Sequence, residues 1–455
     1  AAGAPVRKYG QIIGYAARDV APGEHVHEDA LAFRPTDHAY EYGTDLRNVA
    51  LEPPETFMGF RRPQGRAGTR NYVAVVTSVN CSATAARMIA DHFTPERLAD
   101  FPNVDGVAAF VHGTGCGMAG DGDGFEALQR TMWGYARHPN HAAVLMVGLG
   151  CEMNQIDWLL EAYGIARGPR FQTMNIQDVA GLRRTVETGI RKIEEMLPLA
   201  NESAREPIPA SHLALALQCG GSDAWSGITA NPALGHCCDM LAARGAAGLL
   251  AETPEIYGAE HLLTRRAATR EIGETLVARI RWWEDYVARN RGSMNNNPSP
   301  GNKRGGLTTI LEKSLGAAAK GGTTPLNGVY RYAEPIGDAA GFLFMDSPGY
   351  DPASVTGQIA SGCTMVAFTT GRGSAFGSKP APTIKIATNS ELARRMPEDM
   401  DVDAGRILTG EASVEEVGRE IYDLLLRAAS GERTLSEAQG LGDHEFVPWQ
   451  IGAVM

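Results

Sequence analysis

The sequence of 455 residues has no excess of basic side chains: 42 Lys and Arg face 53 Asp and Glu, a formal charge of −11. That balance argues against nucleic acid or an anionic membrane as partner, since both are polyanions. No apolar run reaches the ~18 residues that a membrane span needs. The opening residues Ala1–Pro5 have neither a basic nor an apolar segment, so no signal peptide is expected there. Cysteine is sparse and unframed: seven residues, an odd number. Such usage suits free or metal-bound thiols in a reducing cytoplasm rather than a disulfide scaffold. Internal repeats and low-complexity tracts are also missing. What is present is an ordinary globular composition, 44% apolar and 21% charged, on a chain long enough for two or three domains.

One stretch organises the rest. Cys219–Pro232 follows an apolar run, Leu213–Gln218, that reads as a buried parallel strand, and precedes a helical run, Ala233–Arg244. It is therefore a strand-to-helix turn, where open α/β sheets present their binding groups. Gly220 and Gly221 allow a close backbone approach, and Cys219, Ser222, Asp223, Ser226, Thr229 and Asn231 crowd a single loop with polar groups.

Two α/β regions follow from the alternation of apolar runs and helical stretches. In the first, strands at Tyr72–Thr77, Val104–Val111 and Ala142–Gly148 are each followed by a Gly-rich or polar turn, with Cys81, Cys116 and Cys151 at those ends. In the second, Gly248–Ala251 leads to Glu252 and Glu255, which either share a metal or open a helix. Strands at Gly341–Met345, Thr364–Thr370 and Thr383–Ala387 end in Asp346–Asp351, Gly371-Arg372-Gly373 and Thr388-Asn389. Arg372 between two glycines suits bidentate grip on a carboxylate, or else a surface ion pair. The loop Asn297–Gly306, with Ser299, Asn302 and Lys303, suits an anionic, hydroxylated ligand. Pro198–Ser211 reads as a closing loop. Gly115, Gly117 and Gly120 match a dinucleotide pattern, but no acidic residue ends a strand about 20 residues on, so no nicotinamide cofactor is expected. His25 and His27, two apart, are either ligands on one side of a strand or part of a solvated edge.

These motifs resemble the altronate dehydratase/galactarate dehydratase family of sugar-acid dehydratases. The resemblance covers essentially the whole chain and rests on Lys8-Tyr9-Gly10, Gly23–His27, Gly68–Asn71, Arg137–Asn140, Gly148–Glu152, Cys219–Pro232, Glu252–Glu255, Asn297–Gly306, Thr370–Gly373 and Ile386–Leu392. It implies an α/β protein of two Rossmann-like parallel-sheet regions with a partial N-terminal β-clip, without nucleotide. The expected divisions are 1–33 for the partial β-clip, 34–56 for a linker, 57–210 for a middle domain that forms a homodimer, and 211–455 for the catalytic domain. The family's first half of the β-clip is not in this sequence.

The implied reaction removes the C2 proton of a hydroxy acid and expels the C3 hydroxyl, giving a 2-keto-3-deoxy acid. The candidates for base are His112 and Lys303, with Asp223 beside them; Arg70, Asn71, Ser222, Ser226, Asn231, Ser299, Asn302, Arg372 and Asn389 are expected to bind substrate. The resemblance implies iron. Oxygen ligands such as Asp223, Glu252 and Glu255 would suit mononuclear Fe2+ or Mn2+, whereas three of Cys81, Cys116, Cys151 and Cys219 would suit a [4Fe–4S] cluster. Cys237 and Cys238 read as core, and Cys363 as a weaker thiol candidate. The expected site is a cleft shared by the two α/β regions, His112 and Cys151 on one side, Cys219, Asp223, Lys303 and Arg372 on the other. The half β-clip is then a lid or an appendage. Two other functions fit the same motifs: a lyase expelling sulfite from sulfolactate, and a non-catalytic sugar-acid sensor.

Overall fold

Runs of Val, Leu, Ile and Ala bounded by glycine turns have no polar face, and such strands are stable only with both faces covered. The computed structural model of the chain, which describes every residue except 36–38, 48, 64, 453 and 455, places them accordingly. Parts of the expected linker, 36–38 and 48, thus lie outside the described residues.

The N-terminal residues form a small antiparallel sheet of β1 (Pro5–Lys8), β2 (Gln11–Ala16) and β3 (Leu31–Ala32). His25 and His27 lie in no strand; their rings stack at 5.9 Å, and His27 Nε2 is 3.0 Å from the Lys303 carbonyl. After β4 (Thr56–Phe60) comes a parallel sheet of β5 (Tyr72–Thr77), β6 (Gly106–Phe110), β7 (His141–Gly148) and β8 (Phe171–Asn175), ordered β6-β5-β7-β8. Then β9 (Arg205–Pro209) returns to pair antiparallel with β4. The sequence reads as loop here because Pro207 and Pro209 interrupt it, and proline is tolerated only at such an edge.

The remaining strands make one parallel sheet of seven: β10 (Ala214–Cys219), β11 (Ala247–Leu250), β12 (Leu326–Tyr330), β13 (Gly341–Met345), β14 (Met365–Thr370), β15 (Thr383–Ala387) and β16 (Val402–Asp403). Their order is β12-β13-β11-β10-β14-β15-β16. The chain runs outward from β10 in one direction and later from β14 in the other, so the order reverses between these two strands.

The two parallel sheets share a hydrophobic core. The helices Gly122–Ala136 and Asp351–Ala360 lie between them, and Leu128, Met132, Val355 and Ile359 join Val76, Phe110, Ala216 and Leu249 in one cluster. Gly134 has no room for a Cβ against the Ala360 backbone, which explains glycine there. The β-clip strands are docked rather than loose. Thr309 Oγ donates to the Ile13 carbonyl, Lys8 Nζ pairs with Glu312 at 2.7 Å, and Lys303 Nζ pairs with Glu28 at 3.0 Å. The first two contacts fall on or beside the helix Ile310–Ala318, and the third on the short helix Pro300–Arg304.

Candidate active site

Cys219 ends β10 at the point where strand order reverses, the place where open α/β sheets leave a crevice. Gly220 follows, and a Cβ there would run into the Asp351 carboxylate and the Phe368 ring. Gly221 then turns with φ +64, a conformation open to glycine at no steric cost.

Three further segments bring charge to this point. Glu252, just past β11, has φ +73, a left-handed backbone that costs a non-glycine residue roughly 1–3 kcal/mol. Its side chain is fully buried and neither carboxylate oxygen accepts a hydrogen bond. Glu255 lies one turn on, bonded to Lys313 Nζ and to Asn297 Nδ2 at 2.8 Å. Lys320 Nζ donates to Cys219 Sγ at 2.9 Å and stands 3.9 Å from Glu252. Lys313 and Lys320 share a helix face because they are two turns apart in Ile310–Ala318 and the short 3-10 turn Ala319–Gly321.

Burial sets the protonation states. It pushes the Cys219 thiol up to about 12, against the pull of Lys320. Burial, then repulsion from Glu255, holds Glu252 well above the carboxylate range. Burial works in the same direction on Glu255, but Lys313 and Lys320 outweigh it and keep that carboxyl ionised. Lys313 also resists its burial and stays charged because Glu255, Cys219 and Glu252 face it. Asp351 is pushed up to about 7 by burial and by Glu255.

A cavity of about 410 Å³ opens above the cluster, with Cys219, Glu255 and Lys313 at its base and Asn297, Ser299, Asn302 and Asp351 around it. One donor atom each from Cys219, Glu252 and Glu255 lies within 4.8 Å of the others, the one such group of three among the described residues. A buried carboxylate with both oxygens unpartnered is what a bound cation would satisfy. The donor set therefore fits a mononuclear divalent ion, with a thiolate favouring transition metals over Mg2+.

The residues singled out from sequence divide among different places. Cys219, Glu252 and Glu255 come together as metal candidates; Ser299 and Asn302 line the cavity, and Ser299 also caps the helix Pro300–Arg304. Ser222 lines a narrow void on the other side of Cys219, beside Lys8 and Tyr9. Asp223 is consumed by its own loop: its carboxylate accepts from the Trp225 and Ser226 amides, Ser226 Oγ, Thr388 Oγ1 and Asn389 Nδ2. Asn231 holds the Gly316 carbonyl and the Thr369 hydroxyl. Arg372 is exposed, with its stem against Gly221 and Gly305. Lys303 is held by Glu28 of the β-clip and does not line the cavity.

The middle region contributes nothing to this cavity, which corrects the expected shared cleft. His112 is buried, its Nε2 3.0 Å from the Thr77 carbonyl and its Nδ1 accepting the Thr114 amide at 3.3 Å. With both nitrogens engaged and burial pushing its pKa down to about 4, it is a packing histidine. Arg70 spends its guanidinium on Glu437 and the carbonyls of Thr69, Ala428 and Glu432, and Asn71 on Arg62, Asn103 and Ala200. Both tie elements together instead of reaching substrate. Cys81, Cys116 and Cys151 are exposed at the edge of the four-stranded sheet and line no part of the cavity. Sequence reasoning passed over Lys313, Lys320 and the role of Asp351. A lysine pair two turns apart in the otherwise mostly apolar stretch Ile310–Gly321 was the available signal.

Known families meet this geometry from the sequence side. The model described as "D-galactarate/Altronate dehydratase, C-terminal" matches residues 210–454, the second-domain model of the same family matches 59–201, and its SAF-domain model matches 1–34. The chain is 37% identical over 427 residues to altronate dehydratase of Bacillus subtilis, covering 93% of this chain and 84% of that protein. It is 36% identical over 445 residues to galactarate dehydratase (L-threo-forming) of Escherichia coli, covering 95% and 85%. It is also 34% identical over 398 residues to the (2R)-sulfolactate sulfo-lyase subunit beta of Chromohalobacter salexigens, covering 86% and 96%. With three family models laid end to end along it, the chain belongs to the D-galactarate/altronate dehydratase family and is a hydro-lyase.

Proposed function

We propose that the chain dehydrates a sugar acid of the altronate or galactarate type to a 2-keto-3-deoxy acid in the cavity above Cys219, with Fe2+ (or Mn2+) held by Cys219, Glu252 and Glu255. The observation that carries this reading is the orphaned, buried carboxylate of Glu252 beside a thiol and a second carboxylate. The ion's contribution would be Lewis acidity toward the substrate carboxylate and a hydroxyl.

The chain's own residues do the rest. Asn297, Ser299 and Asn302 supply amide and hydroxyl groups for a polyhydroxylated substrate. The Lys313 ammonium, kept charged at the cavity base, stabilises the negative charge that develops on the enediolate. Asp351, a carboxyl poised near neutrality on the cavity wall, takes the C2 proton. The same carboxyl, now protonated, returns that proton to the departing C3 oxygen, so water leaves and an enol remains to tautomerise.

Expulsion of sulfite from sulfolactate is the second reading, favoured by the match to a sulfo-lyase subunit over 96% of its length. The same carboxylate chemistry at C2 would serve it. Membership in an enzyme family leaves the sensor reading without support. A homodimer built through the middle region and a cytoplasmic setting complete the proposal; all seven thiols are free, and no helix among the described residues is long and apolar enough to cross a membrane.

The test is an anaerobic assay of altronate, galactarate and sulfolactate with Fe2+ and a reductant, reading 2-keto acid and sulfite separately. Keto-acid formation from a sugar acid, lost on chelation and restored by iron, is the expected result. Full activity after chelation would overturn the metal-assisted reaction; sulfite release alone would replace the substrate.

A further inference from the structure

A second cleft lies at the amino ends of strands, away from the edge that carries Cys219. It holds about 320 Å³, within the range of roughly 300–1,000 Å³ that small-molecule sites occupy. Tyr72 and Gly106, the first residues of β5 and β6, and Thr383, the first of β15, stand on its wall. The middle and C-terminal regions therefore build it together.

Its frame is fixed. The Arg70 guanidinium grips both carboxylate oxygens of Glu437, at 2.7 and 2.8 Å. Lys379 Nζ is held by Asp443 at 2.6 Å. The Asn71 amide donates to Asp105 Oδ2 at 2.6 Å. Gly106 leaves the Tyr72 ring its place, since a Cβ there would stand 3.2 Å from the ring edge.

Inside this frame the polar groups are unused. Among the described residues the Tyr72 and Ser378 hydroxyls find no hydrogen-bond partner, and neither does the buried Thr383 hydroxyl. Asp105 keeps its other oxygen, Oδ1, open to accept. Arg433 lines the cleft and forms no ion pair or hydrogen bond with any described residue.

These groups select a ligand. An unpaired guanidinium calls for an anionic group, best a carboxylate that takes its fork. Hydroxyls and a carboxylate oxygen call for groups that donate and accept in turn, as alcohols do. Glu437 and Asp105 on the same walls repel a second negative charge. The complement is a monoanion carrying several hydroxyls.

We propose that this cleft binds a small polyhydroxy monocarboxylic acid, its carboxylate on Arg433 and its hydroxyls on Tyr72, Asp105 and Ser378. The site is separate from the Cys219 cavity and does not depend on the reaction there. Because it bridges the two regions, its occupant ties β5 and β6 to β15.

The test is equilibrium dialysis of radiolabelled D-gluconate against the full chain, with inorganic phosphate and serine as comparison ligands. Gluconate binding should survive chelation and Cys219→Ser, which disable the other site, and weaken about tenfold or more in Arg433→Gln. Arg433→Lys should recover part of the loss, since it restores the charge without the fork. Arg433 is exposed, so both variants should melt at the wild-type temperature. Gluconate binding left intact by Arg433→Gln belongs to the other cavity and overturns the proposal. Equally tight binding of phosphate or serine overturns it too, as does no gluconate binding at millimolar concentration.

Discussion

Lys320 Nζ stands 2.9 Å from the Cys219 sulfur and 3.9 Å from a Glu252 carboxylate that accepts no hydrogen bond. The ammonium donates to one candidate ligand atom and faces a second, and burial keeps both of those groups protonated, so protons are displaced when an ion enters. Cys219 is held up to about 12 and Glu252 well above its usual range. Metal affinity should therefore rise with pH across the neutral range, because protons compete for the same atoms. Titration of Mn2+ at two pH values checks this, and equal affinity at both would exclude thiolate and carboxylate ligation.

Glu252→Gln separates stability from function. A carboxyl with a raised folded pKa binds a proton in the fold that the unfolded chain has released, so its cost grows as pH rises above the unfolded value of 4.5. The amide removes that cost. Denaturant midpoints should be unchanged or higher for the variant above that pH, with the difference shrinking in acid, while dehydration falls at least a hundredfold. A variant that is both less stable and fully active would contradict the assignment.

Lys313→Met leaves Glu255 buried without its cation. The loss should be about 3–5 kcal/mol in urea unfolding, since an uncompensated buried charge is far more costly than an absent pair. The double variant Lys313→Met/Glu255→Met should recover part of it.

Asp351 sets a pH limb. Its carboxyl must be ionised to take a proton, and it is held up to about 7, so kcat/KM should rise with pH through that value. Asp351→Asn should abolish the limb together with most of the rate. An unchanged profile in the variant would move the base elsewhere.

Arg70 is expected to matter for folding and not for turnover. Arg70→Met breaks a partly buried ion pair to Glu437 with a 2.7 Å contact and leaves buried carbonyls unpaired, and should lower stability by roughly 1–3 kcal/mol. KM for the sugar acid should stay where it was in the folded fraction; a rise would return Arg70 to the substrate.

The strands were largely legible because full burial leaves an unmistakable apolar run: Tyr72–Thr77, Gly341–Met345 and Thr383–Ala387 stand as read. Loop chemistry was legible around Cys219 and Asn297, where polar groups exceed what a turn uses. The roles of Asp223, His112 and Arg70 were not, because a residue type cannot show whether its hydrogen bonds are already spent on backbone. Lys313 and Lys320 were hidden for the opposite reason. A lysine in sequence reads as surface, and only the two carboxylates facing it, from a segment some sixty residues earlier, make it an interior charge.

Asp351 is the first residue of the helix Asp351–Ala360, whose last residue abuts Gly134 in the middle region. Ten residues of helix span about 15 Å, with the cavity at one end and the four-stranded sheet's covering helix at the other. The helix is thus a stiff lever with its tip in the active site. A methyl group at Gly134 has no room against the Ala360 backbone, so Gly134→Ala should displace this helix and with it the Asp351 carboxyl proposed as the base. The expected readout is a lower kcat with an unchanged KM in Gly134→Ala, and an unchanged kcat in folded protein would show that the contact is packing alone.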